Sequence, residues 1–276
     1  MTHFSFAGLY KIVFRLSLIS FYPHIFWLCL FQMPRVIVSA SSSALRSAVV
    51  EEIHDVLRKT ARDKMDVSVG LSGGSMPSII SSGLIALDDV DWSRVHFFFC
   101  DERIVPFDDP ESTFGIYQKE LFSKLCPEPV VHKIDLSEPS TKDVAEAYQR
   151  DLLDFFGAKN GYPVFDLLLL GLGPDGHTCS LFPRHKLLEV ENLVVAPITD
   201  SPKPPPNRVT LTLPVINKAN KVIFIVTGDN KAEVIKKIIE GEQPSTAYPA
   251  SMVQPLAAKP SWHLDQAAAR LLTSAN

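Results

Sequence analysis

Cysteine is scarce. Cys29, Cys100, Cys126 and Cys179 are the four in 276 residues, with no Cys-x-x-Cys and no histidine pair at metal-ligand spacing. That argues against a disulfide framework and against a structural zinc site, so reduced thiols, a cytoplasmic setting and no metal are the expectation. An excess of basic charge is also lacking: 27 Lys and Arg stand against 31 Asp and Glu, a net charge of −4. No nucleic-acid partner is expected from that balance, although it leaves room for a local cationic pocket around a small anion. Internal repeats are absent. The low-complexity stretch Ser-Pro-Lys-Pro-Pro-Pro at 201–206 is too short to link domains and reads as a stiff loop.

What is present is an ordinary globular composition, 46% hydrophobic and 21% charged, in a length that suits one larger α/β domain or two small ones. The first 33 residues differ from the rest. Residues 16–34 carry no Asp, Glu, Lys or Arg, and Lys11 and Arg15 sit just before them. The segment reads as a signal, a membrane anchor or an extension from an alternative start, the last being favoured because the chain after it has no secretory character. It is set outside the fold, and residues 34–276 are expected to form a single catalytic domain without membrane contact.

From Arg35 onward the hydrophobic period switches repeatedly between two and 3.6 residues. Short β-branched or apolar runs (Arg-Val-Ile-Val-Ser-Ala, the Phe-Phe-Phe run at 97–99, the Leu-Leu-Leu-Leu run at 167–170, Lys-Val-Ile-Phe-Ile-Val from 221) read as strands, several of them buried on both faces. Between them lie amphipathic stretches of ten to fifteen residues or more, such as 41–63, where Leu45, Val49, Ile53, Val56 and Leu57 share a stripe. The alternation predicts an α/β, Rossmann-like fold: a mostly parallel sheet with helices on both faces, and a ligand site outside the carboxyl ends of the strands.

Four polar motifs flank the predicted buried strands. Gly70 to Ser75 (Gly-Leu-Ser-Gly-Gly-Ser) leads a strand into a helix. Gly73 and Gly74 let the backbone approach a ligand, Ser72 and Ser75 add hydroxyls, and the helix start offers free N–H groups, as a phosphate monoester requires; a tight turn without a ligand reads the same way. Asp101, Glu102 and Arg103 end an otherwise apolar strand. They either face a crevice or pair with one another at solvent. Next, Gly171-Leu-Gly-Pro-Asp175-Gly-His177 places a histidine where a helix is expected to begin. A neutral imidazole there can take a proton, with Asp175 two residues away to fix its tautomer, unless it is a capping or core histidine. Last, prolines hold Lys203 on its loop and Arg208 opens the next strand, two cations that either clamp an anion or are solvated. If all four lie at one edge of a parallel sheet, they pool phosphate donors, cations and a general base.

Those motifs, in that order, resemble the 6-phosphogluconolactonase family over about residues 34–273. The related glucosamine-6-phosphate isomerase/deaminase family is similar in its Asp-Gly-His corner but carries a tyrosine where Arg103 stands here. The resemblance implies a metal-independent hydrolysis of a sugar-phosphate lactone with no cofactor and no covalent nucleophile. It implies His177 as the base that activates water, Arg103 and the Ser72–Ser75 loop as substrate-binding, and Lys203 and Arg208 on the phosphate or the developing charge. The candidate catalytic set is thus His177, Asp175 and Arg103. The candidate substrate-binding set is Ser72, Gly73, Gly74, Ser75, Asp101, Glu102, Lys203 and Arg208. A monomer is expected. The competing readings are a glucosamine-6-phosphate isomerase/deaminase and a non-catalytic sugar-phosphate-binding regulatory module.

Overall fold

The computed structural model of the chain describes residues 34–158, 161–241 and 243–273; the hydrophobic segment 1–33 lies outside the described residues. In chain order the main elements are β1 (Arg35–Ser39), α1 (Ser42–Asp63), β2 (Val67–Leu71), α2 (Met76–Ile85), β3 (Val95–Phe99), β4 (Asp101–Arg103), α3 (Thr113–Glu120), β5 (Val130–Val131), α4 (Thr141–Phe156), β6 (Leu167–Leu170), β7 (Val195–Ile198), β8 (Arg208–Leu211), α5 (Leu213–Ile216), β9 (Val222–Val226), α6 (Ala232–Ile239), β10 (Ser261–Asp265) and α7 (Gln266–Ala269). Seven strands form one sheet in the order β1-β10-β9-β6-β2-β3-β5, with every pairing parallel.

The apolar strands are continuous because the sheet is covered on both sides. Leu167 and Leu169 join the core formed with Leu45, Val49 and Ile53 of α1 and Ile80 of α2, whereas Leu168 and Leu170 join the core formed with Val144, Tyr148 and Leu152 of α4. Phe97 and Phe99 against Phe98, and Ile223 and Ile225 against Phe224, divide in the same way. A strand with both faces buried has no polar face to alternate, so the run of four leucines follows from the layer order. The predicted fold class holds in the large sheet.

Two expectations need correction. The run from Arg94 to Arg103 is not one strand: the chain turns at Cys100, and Asp101–Arg103 becomes the edge of a second sheet, antiparallel, in the order β4-β8-β7. The strands around 195 and 208 belong to this small sheet as well, so Lys203 and Arg208 do not stand at the carboxyl end of a parallel strand. Arg103 and Arg208 are opposed in its register. The second correction concerns His177, which does not open a helix. Gly176 (φ 89°) and Cys179 (φ 50°) turn the chain instead, and Thr178 bridges to Leu181.

The topology fixes where a ligand goes. From β2 the chain moves outward to β3 and β5, and from β6 it moves the other way to β9 and β10. Adjacent β2 and β6 therefore form the switch point, whose carboxyl ends open a crevice. Leu71 and Leu170, the last residues of those two strands, lead straight into the loops beginning at Ser72 and Gly171.

Candidate active site

At the switch point lies a cavity of about 310 Å³, in the size range of small-molecule sites. Its lining brings together Ser72, Gly73, Gly74 and Ser75 after β2, Asp101 and Arg103 of β4, Gly171 to Pro174 and His177 after β6, and Lys203 and Arg208; Asp175 stands behind His177 and is not part of the lining. Two of the four sequence motifs, the Ser72–Ser75 loop and the Lys203/Arg208 pair, thus converge through all their chosen residues, and the Asp-Gly-His motif converges through His177. The Asp-Glu-Arg motif converges only in part.

His177 is held by its own turn. Its Nδ1 lies 2.5 Å from Asp175 Oδ1, and the ring packs on Phe182 at 4.9 Å between centroids. A carboxylate is only an acceptor, so Nδ1 carries the proton and the lone pair is on Nε2. The turn needs Gly173: a Cβ there would sit 1.9 Å from His177 Nδ1 and 2.6 Å from Asp175 Oδ1. Gly173 N–H also donates to His177 O at 2.8 Å, closing the loop. Burial raises the Asp175 pKa, but the hydrogen bond from His177 and the charge of Lys203 outweigh it and hold the carboxyl well below the usual range. Lys203 Nζ donates to Asp175 Oδ1 at 3.3 Å and stands 3.1 Å from His177 Nδ1. Asp175, His177 and Lys203 therefore form one unit.

Arg208 acts first as a brace. Its Nε donates to Pro205 O (2.9 Å), and Nη2 donates to Lys203 O (3.0 Å) and Pro204 O (2.9 Å). That guanidinium shapes the proline loop that carries Lys203, while Nη1 reaches Ser180 Oγ at 3.4 Å. Ser180 in turn donates to Asp101 Oδ2 at 2.8 Å. Arg103 donates from Nη1 to Glu111 O (2.8 Å) and to Glu111 Oε2 (3.0 Å) at the rim.

Glu102 is a correction. It is fully buried, does not line the cavity, and accepts from backbone N–H groups of Arg103, Thr113 and Phe114 at 2.7–2.8 Å. Along β4, alternate side chains point to opposite faces, so Asp101 and Arg103 reach the cavity and Glu102 points away.

Lys231 lines the cavity and was not singled out in the sequence. Burial lowers its pKa, the charge of Lys203 lowers it further, and Asp175 pulls the other way. The signal was available: Lys231 follows a buried parallel strand and precedes a helix, the same place as the Ser72–Ser75 loop. Gly70 to Gly74 also spells Gly-x-Ser-x-Gly between a strand and a helix, the pattern of a nucleophile elbow. Ser72 Oγ is buried with no hydrogen-bond partner, so no base activates it. Cys179 lines the cavity, but its hydrogen bond with Cys100 and its burial push the thiol well up, away from the thiolate a nucleophile needs.

Among the described residues no group of three or more His, Cys, Asp or Glu side chains is arranged to hold a metal ion, and no helix is long and apolar enough to cross a membrane.

Residues 40–262 match the family described as glucosamine-6-phosphate isomerases/6-phosphogluconolactonase. A 6-phosphogluconolactonase of Rattus norvegicus is 52% identical over 211 residues, covering 75% of this chain and 80% of the relative. That of Homo sapiens is 51% identical over 211 residues, covering 75% and 81%. Among solved structures, a 6-phosphogluconolactonase from Trypanosoma cruzi superposes with a TM-score of 0.76 at 30% identity, covering 88% of this chain and 98% of that one.

Proposed function

The chain belongs to the glucosamine-6-phosphate isomerase/6-phosphogluconolactonase family, and from that premise we propose that it hydrolyses 6-phospho-D-glucono-1,5-lactone to 6-phospho-D-gluconate, in the oxidative pentose phosphate pathway, with His177 as general base. The observation that carries the mechanism is the 2.5 Å contact from His177 Nδ1 to Asp175 at the wall of the cavity. It leaves Nε2 to take a proton from water. The hydroxide so formed adds to the lactone carbonyl, and collapse of the tetrahedral intermediate expels the ring oxygen, which regains a proton. A lactone is an activated ester, so one base and cationic stabilisation of the oxyanion suffice.

The Ser72–Ser75 loop and the start of α2 take the 6-phosphate. Ser75 is the N-cap residue but makes no side-chain cap bond, so its hydroxyl is available to the anion. Arg103, Lys203, Arg208 and Lys231 supply positive charge around the same cavity for the phosphate and the developing oxyanion. Binding the remote phosphate fixes the carbonyl against water and His177. Arg103, where the isomerases/deaminases carry tyrosine, favours the lactonase over that alternative, and so do relatives above 50% identity that are lactonases. A non-catalytic sugar-phosphate sensor would have no use for an oriented base. The proposal extends to residues 34–276 acting as one cytoplasmic, monomeric catalytic domain that needs no metal, cofactor or membrane, with segment 1–33 outside it.

The test is hydrolysis of freshly prepared lactone by the purified full chain, with EDTA present and the spontaneous rate subtracted. A rate far above background is expected. A rate equal to background from folded protein would overturn the reading, and ammonia release from glucosamine 6-phosphate would replace it with the deaminase. Elution of the active species at monomer size checks the oligomeric claim.

A further inference from the structure

Glu102 has no place on the cavity wall, yet a fully buried carboxylate is costly unless its oxygens are satisfied. Here they are satisfied by main chain alone. Oε1 accepts from Arg103 N (2.7 Å) and Thr113 N (2.8 Å), and Oε2 accepts from Phe114 N (2.7 Å). Thr113 and Phe114 are the first two residues of α3, whose N-cap is already supplied by Ser112, accepting from Gly115 N at 3.1 Å. Glu102 is therefore a second cap, reaching in from a neighbouring strand. Helix starts elsewhere in this chain, such as α1 and α4, are capped by their own serine and have no such strand-borne acceptor.

The first turn of α3 carries the residues that support the loop after β2. Thr113 is buried against Gly73, where a Cβ would come within 2.8 Å of Thr113 Oγ1. One turn on, the buried Tyr117 hydroxyl donates to Ser72 O at 3.0 Å. On the other side of Glu102 stand Asp101 and Arg103, both on the cavity wall. Three buried polar atoms without protein partners, Ser72 Oγ, Thr113 Oγ1 and Arg103 Nε, belong to this same junction. Buried donors are normally paired, and Ser72 and Arg103 both face the cavity, where an anion would pair them.

We propose that Glu102 is a positioning residue for anion binding. It ties the strand bearing Asp101 and Arg103 to the helix on which Ser72 and Gly73 rest, and so sets the distance between the two walls of the phosphate subsite. The inference rests on the proposed lactonase reading and goes beyond it. It assigns to a residue that touches no substrate the geometry of the phosphate end.

The test is Glu102→Gln at pH 8, in the full chain, measuring kcat and KM for the phosphorylated lactone and the inhibition constant of inorganic phosphate. An amide retains an acceptor for the bonds at Oε1 but sets a donor against Phe114 N–H. Losing such a charged hydrogen bond is expected to raise both KM and the phosphate inhibition constant about tenfold, with kcat changed less than about twofold. Unchanged KM and inhibition constant, or a fall confined to kcat, would overturn the proposal; a merely structural role would lower the amount of active enzyme without moving either constant. Should Glu102→Gln fail to fold, Tyr117→Phe takes its place. That variant removes only the bond to Ser72 O, with both constants expected to rise about threefold and unchanged constants overturning the idea. Absence of turnover by the wild-type chain would instead sink the lactonase reading.

Discussion

Two carboxylates lie just behind residues of the cavity wall, Asp175 behind His177 and Glu102 between Asp101 and Arg103, and are treated in opposite ways. Asp175, beside His177 and Lys203, is held well below the usual range although burial pushes it upward. Glu102, at the junction of β4 and α3, is pushed up to about 7, because burial outweighs the N–H donors of Phe114, Thr113 and Arg103 and the charge of Asp101 adds to it. Asp175 has charged partners and Glu102 has only peptide dipoles. The first arrangement keeps an anion against the imidazole proposed as the base. The second uses an anion, at a cost in stability, to join two pieces of backbone. On the proposed roles, the His177 end depends on charge pairing and the phosphate end on capping geometry, so perturbations at the two ends are expected to separate into kcat and KM.

The largest effect that sharpens this contrast is expected from Asp175→Asn. The amide can offer His177 a donor in place of an acceptor and reverse the tautomer. The loss in kcat is then expected to approach the whole value of a positioned base, on the order of 10²–10⁴, with KM little changed. A kcat within a few-fold of wild type would remove Asp175 from the mechanism. Next comes Gly173→Ala. The new methyl occupies the space of the imidazole, the ring must swing from Asp175, and a displacement of that size costs on the order of 10²-fold in rate. Thermal unfolding near the wild-type midpoint would show that the turn, not the fold, was damaged, and wild-type kcat would contradict the steric account.

The third effect is a pH dependence of stability. The folded chain holds the Glu102 proton up to about pH 7, whereas the ordinary value is 4.5, so between these values the folded state binds more protons. The contribution of Glu102 is fully present below about 4.5 and is lost as pH rises through about 7, a change on the order of 3 kcal/mol. Glu102→Gln has no proton to lose. The difference in unfolding free energy, wild type minus variant, is expected to fall across that window, and a flat difference would contradict the environment assigned to Glu102. Asp175 has the opposite sign, its contribution being present above its ordinary 3.8 and lost as pH falls.

The parallel sheet was legible because burial on both faces leaves a direct mark: the leucines of 167–170 and the phenylalanines of 97–99 have no polar alternation to hide. Ser72, Gly73, Gly74, Ser75, Asp175 and His177 were legible for a related reason, since glycine and polar residues directly after such strands fall at the crevice. The small sheet was not. Its strand β4 is three charged residues whose pairing partner lies about a hundred positions away, and no local period reports that pairing. The orientation of Glu102 depended on the same hidden sheet, so its place among the substrate-binding residues was misjudged. The helix expected at His177 failed on backbone conformation, because Cys179 adopts φ 50° with a side chain that gives no warning of it. Lys231 was missed because a lone lysine after a strand, with the single Gly228 before it, lacks the paired or repeated glycines that drew attention elsewhere.

The most direct measurement of the central claim is kcat for 6-phosphoglucono-δ-lactone with His177→Ala, after subtraction of spontaneous opening, alongside circular dichroism and the inhibition constant of inorganic phosphate. The account predicts a folded protein that binds phosphate as wild type does and has lost on the order of 10²–10⁴ in rate. A folded variant that keeps near wild-type turnover would contradict it.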